Sequence, residues 1–94
     1  MIPTNRILPH PGEILKDYLE EIGKTQTQLA IHTGMPINRV NEICTGKRGI
    51  TAETAWLLGM AFGQSPEFWM NAQAGHDLTK NRPAKKIARL KEAA

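Results

Sequence analysis

Helix breakers recur so often along this chain that it can fold only from short rods joined at sharp corners. Gly23, Gly34, Pro36, Gly46 and Gly63 separate segments whose apolar residues repeat at helical spacing. The most tightly punctuated stretch, QTQLAIHTGMPINRVNEICTGKR, runs from Gln26 to Arg48 and contains Gly34, Pro36 and Gly46. A helix, a break and a second short helix have to fit within it. Two short helices crossing steeply need a small residue at the crossing, which Ala30 supplies. Their corner needs a residue that accepts positive φ, which Gly34 supplies. The second helix has to anchor from one side only, through Val40 and Ile43.

Around this corner the chain reads as all-α. Residues 1–9 form an extended arm, because Pro3, Pro9 and Pro11 disfavour helix there. Pro11 suits the first position of a helix carrying Ile14, Leu15, Tyr18, Leu19 and Ile22, and Gly23 stops it. Thr25 and Gln28 have the spacing of a capping box for the next helix. Pro36 opens the third, with Ile37, Val40, Ile43 and Cys44 on one side. Thr51 caps a fourth, apolar nearly all round and hence expected to be buried. Ser65-Pro66-Glu67 starts a fifth, expected to end near Gly75. The helical domain spans residues 10–78. Residues 79–94 form a basic tail, with either a sixth helix after Pro83, carrying Ala84, Ile87 and Leu90, or no order at all.

Helix, glycine corner and one-sided second helix together describe a helix-turn-helix, whose second helix lies in the DNA major groove. With Val40 at the centre of the buried face, Ile37, Ile43 and Cys44 fall within about 60° of it at 100° per residue. Asn38, Glu42 and Thr45 then point away, with Arg39 and Asn41 on the flanks. Asn can bond adenine at two atoms, Arg can do so to guanine, and Glu can accept from cytosine. Ile37, Asn38, Arg39, Asn41 and Glu42 are therefore the candidate base contacts. Asn38 and Arg39 are the foremost readers, Ile37 is suited to a thymine methyl, and Glu42 is suited to a base edge or an internal ion pair. Gln26 and Thr27, at a helix N-terminus, and Thr45, Lys47 and Arg48, around the end of the second helix, are the candidate phosphate contacts.

Charge locates these groups better than it classifies the whole chain. The formal charge is +3, but six of the twelve basic residues are Lys80, Arg82, Lys85, Lys86, Arg89 and Lys91, all near the C-terminus. Residues 1–78 carry more acids than bases, so any positive surface there is local, around Lys24, Arg39, Lys47 and Arg48. The tail has three readings: a solvated helix, non-specific attraction to DNA, or an extension of a protein contact through Ile87 and Leu90. Aromatics make up only 5% of the chain, so its core has to be mainly aliphatic. No membrane span is expected, and the single cysteine suits a reducing, cytoplasmic setting. Cys44 reads as a small core residue. His10, His32 and His76 are too scattered for a zinc site, and Gly46-Lys47 lacks the rest of a phosphate loop. Neither an enzyme nor a cofactor is expected.

The corner built from Ala30, Gly34, Val40, Ile43 and Gly46 resembles the phage-repressor-like XRE family. Three further stretches, HPGEILKDYLEEIG, CTGKRGIT and SPEFWMNAQAGHDL, narrow the likeness to the HigA antitoxin family, also called virulence-associated protein I. This resemblance covers His10 to Leu78. It implies a five-helix repressor-like fold and a homodimer on a palindromic double-stranded operator. It also implies repression of the chain's own operon and neutralisation of a HigB-type ribonuclease toxin. Two short recognition helices on a symmetric dimer would read half-sites about 34 Å apart. Phe68, Trp69, Met70 and Gln73 are candidates for the dimer interface, with core filling as the alternative for Phe68 and Trp69. The competing functions are a solitary helix-turn-helix regulator and a protein-interaction module whose corner is structural only.

Overall fold

A computed structural model describes residues 2–3 and 6–91. It contains five helices: α1 Pro11–Ile22, α2 Gln26–Thr33, α3 Ile37–Cys44, α4 Ala52–Phe62 and α5 Pro66–Lys80. No strand occurs among the described residues. The stops of the first four helices are those expected from sequence. Gly23, Gly34 and Gly63 hold the left-handed conformation just past α1, α2 and α4, and Gly46 holds it one residue beyond the Thr45 cap of α3. The capping box is complete: the Gln28 N–H donates to Thr25 Oγ1 at 3.1 Å, and the Thr25 N–H donates to Gln28 Oε1 at 2.8 Å. Thr51 and Ser65 cap α4 and α5. The cap of α1 is one that sequence reasoning overlooked: His10, whose Nδ1 accepts the Gly12 N–H at 2.8 Å.

Leu15, Val40, Ile43, Ala55, Leu58 and Trp69 are wholly excluded from solvent and form the centre of the core. Each large aliphatic buried this way contributes about 1.5–3 kcal/mol. Tyr18, Phe62 and Phe68 ring Trp69, with centroid separations to it of 5.3–6.1 Å. Gly12 lets α1 lie directly on α3. A Cβ there would overlap the carbonyl oxygen of Ile43 and stand 2.8 Å from its carbon.

Two expectations are corrected, and one of the two open readings of the tail is set aside. The fourth helix is not buried all round: Trp56 is 58% exposed and Met60 68%. They lie one turn apart on the side of α4 away from the core, where no other helix covers them. The fifth helix does not end near Gly75 but runs on to Lys80. Gly75 is kept in the helix because Leu8 of the arm packs on it, 3.0 Å from where a Cβ would stand. Finally, residues 81–91 form no α-helix. Ile87 and Leu90 are 81% and 91% exposed there, so a sixth helix would have no apolar surface to rest on.

The arm is tied down. The Leu8 N–H donates to Thr79 Oγ1 at 2.9 Å, and His76 Nδ1 donates to the Leu8 carbonyl at 2.8 Å. Further out, Arg82 donates to the Pro3 carbonyl at 2.6 Å.

Candidate nucleic-acid interface

The outward face of α3 is built by what holds its back. Val40, Ile43 and Cys44 are at most 3% exposed, and this fixes the helix's rotation about its own axis. Ile37, Asn38, Asn41 and Thr45 then stand in solvent, while Arg39 and Glu42 are half-buried. The helical wheel therefore sorts α3 correctly with two exceptions: Glu42, expected to point away, is half-buried, and Ile37, 44% exposed, sits at the rim of the buried face rather than in it. That exposure leaves its methyl groups free to meet an apolar base edge. Cys44 is core as expected, and burial raises its thiol pKa, with Lys16 opposing the rise.

The side chains on this face are linked to one another. Arg39 Nη1 lies 3.1 Å from Glu53 Oε1, on the first turn of α4. Arg48 Nη2 lies 2.8 Å from Glu42 Oε1, and its Nε donates to the same oxygen at 2.9 Å. Asn41 donates to Gln26 Oε1 at 3.4 Å, joining the middle of α3 to the start of α2. Exposed ion pairs contribute little to stability, about 0–1 kcal/mol, and exchange easily for a charged ligand. What they do is orient: Glu53 sets the direction of the Arg39 guanidinium, and Arg48 balances the charge of the Glu42 carboxylate. Sequence reasoning missed Glu53, because only the fold brings α4's first turn beside α3.

Not every candidate phosphate contact is placed to act as one. Thr45 Oγ1 donates to the carbonyls of Asn41 and Glu42, at 3.0 and 3.2 Å. With its hydroxyl proton directed back onto the helix, Thr45 offers a phosphate no side-chain donor in this rotamer. Lys47 is exposed and in no ion pair among the described residues. The turn that carries it is tight, with the Lys47 and Arg48 N–H groups both donating to the Glu42 carbonyl, at 2.8 and 3.2 Å. Thr27 is exposed and Gln26 half-exposed at the positive end of α2, where backbone N–H groups attract anions.

The residues proposed for a dimer interface separate. Trp69 is fully buried within the chain and has no surface to offer a partner; its size makes it the natural filler of the aromatic cluster. Gln73 is engaged internally: its Oε1 accepts the Ile50 N–H at 2.7 Å and its Nε2 donates to Asp77 at 2.9 Å. Phe68 and Met70 remain 40% and 38% exposed. No group of three or more potential metal ligands occurs among the described residues.

Residues 15–69 match the family model described as Helix-turn-helix, so the match spans both motif helices and the core around them. The chain is 42% identical over 73 residues to virulence-associated protein A' of Dichelobacter nodosus, covering 77% of this chain and 64% of that one. It thus spans less than two thirds of that relative's length. It is 42% identical over 85 residues to antitoxin HigA-1 of Vibrio cholerae, covering 87% and 80% of the two chains. Among solved structures, it is similar to PA4674 of Pseudomonas aeruginosa in complex with its 18 bp operator DNA. There the TM-score is 0.83 and the identity 35%, with 90% of this chain and 98% of that one covered.

Proposed function

This chain belongs to the helix-turn-helix family, among the HigA antitoxins, and from that premise we propose that it is a sequence-specific DNA-binding repressor acting as the antitoxin of a toxin–antitoxin pair. The observation that carries this reading is the outward face of α3. Ile37 and Asn38 stand open beside an Arg39 held by Glu53, while three buried residues fasten the helix behind them. In the major groove, Asn38 and Arg39 read base edges, and Lys47 and the start of α2 hold phosphates on either side. Two copies on a palindromic operator supply the area that one eight-residue helix lacks. Repression follows from occupying the promoter. The protein partner is a HigB-type ribonuclease, and the pair works in the cytoplasm; no helix among the described residues is long and apolar enough to cross a membrane.

A gel shift with the duplex upstream of the chain's own gene tests the DNA role. A complex that survives excess unrelated duplex is expected. Binding that is equal on all duplexes, or absent, would leave the corner a purely structural feature. Co-purification with the product of the adjacent gene tests the antitoxin role, and its failure would reduce the protein to a solitary regulator.

A further inference from the structure

We propose that His10 is a titratable positioning residue: by capping α1 it fixes how α1 seats on α3, so that operator affinity falls as His10 takes up a proton. The affinity part rests on the DNA-binding reading above, whereas the stability part does not.

This side chain touches α1 and α5 directly, and through them it is linked to α3 and the arm. His10 Nδ1 accepts the Gly12 N–H at 2.8 Å, which only an unprotonated nitrogen can do. Gly12 is buried against the Ile43 carbonyl of α3, with no room for even a methyl group. The His10 ring stands edge-on to that of His76 on α5, with centroids 5.1 Å apart and planes at 75°. His76 in turn donates from Nδ1 to the carbonyl of Leu8, two residues before His10 in the arm. The cap, the arm's tie to α5 and the contact of α1 with the back of the reading helix are therefore one assembly.

A proton on Nδ1 turns the acceptor into a donor. Two N–H groups then face each other at the positive end of α1, and the first turn loses its cap. The charged and titratable groups around the ring are His76, Asp77 and Lys80 from α5 and Glu13 from α1; α3 lies beyond Gly12, which packs on the Ile43 backbone. Burial is the main cause that holds His10 below its ordinary value of 6.5. His76 and Lys80 add to the lowering, and Asp77 and Glu13 oppose it. Because the folded-state value is depressed, the cap's contribution is fully present above about 6.5 and is lost as pH falls through the folded-state value.

The full chain is compared with its His10→Asn and His10→Ala variants. Asn caps helices well and does not titrate, whereas Ala cannot cap. Fluorescence anisotropy on the upstream duplex and urea unfolding are each measured at pH 7.5 and pH 5.0. At pH 7.5 the Ala variant should bind more weakly than wild type, by up to about fivefold, the factor reached if the whole of one lost cap is felt at α3, and Asn should restore most of this. By pH 5.0 wild type should move towards the Ala variant in both affinity and urea midpoint, while Asn does not. An identical pH response in wild type and Asn would overturn the proposal. A shift in urea midpoint without one in affinity would overturn the link to α3. Failure to bind any duplex would sink the DNA-binding reading, and the urea midpoints would then decide whether His10 titrates as a cap.

Discussion

At the scale of single residues, the proposed interface assigns base reading and phosphate holding to different side chains, and the two should respond differently to substitution. Asn38→Ala should cost about 1–3 kcal/mol at one base position of each half-site and little elsewhere, as measured by competition with single-base-pair variants. Lys47→Ala should weaken binding evenly across sequences and reduce the slope of log K against log salt by about one. Arg48→Ala should be worse than Lys47→Ala, because it also uncovers the carboxylate of Glu42 that Arg48 now holds at 2.8 Å. Glu42→Gln in the Arg48→Ala background should recover that excess. Equal losses for Lys47→Ala and Arg48→Ala would show that the Glu42 pair has no bearing on DNA.

At the scale of elements, the setting of α3 depends on two glycines for opposite reasons. Gly34 has φ 79° and open space around its Cβ position, so Gly34→Ala should add backbone strain alone, about 1 kcal/mol. Gly12 is helical but has the Ile43 carbonyl against it, so Gly12→Ala should force α1 off α3. Its expected cost is about 1–3 kcal/mol, or more if the helices cannot part. Urea unfolding should rank Gly12→Ala below Gly34→Ala in stability. The difference also explains what the sequence made legible. Gly34, the Thr25–Gln28 capping box and the Val40–Ile43 stripe act within a few residues of themselves, so spacing reveals them. Gly12, the ion pair of Arg39 with Glu53 and the continuation of α5 through Gly75 depend on partners distant in the chain. Trp56 and Met60 misled for a related reason: an apolar run shows that a helix has apolar faces, but not how many neighbours arrive to cover them.

At the scale of the whole molecule, the helical body and the basic tail are separable. Residues 83–91 are exposed throughout and make no α-helix, so truncation after Arg82, which keeps that side chain's bond to the Pro3 carbonyl, should leave the urea midpoint nearly unchanged. If the tail adds non-specific attraction, the same truncation should lower affinity for unrelated duplex more than for the operator. The body's contribution is the fixed rotation of α3, with Val40 and Ile43 at zero exposure behind Asn38 and Arg39. The most direct measurement is a double comparison: wild type and Asn38→Ala, each titrated against a set of operators carrying every single base-pair change in one half-site. A sharp loss of discrimination at one position, with the rest of the profile unchanged, is the expected result. An Asn38→Ala profile that matches wild type at every position would mean that this face of α3 does not read the operator.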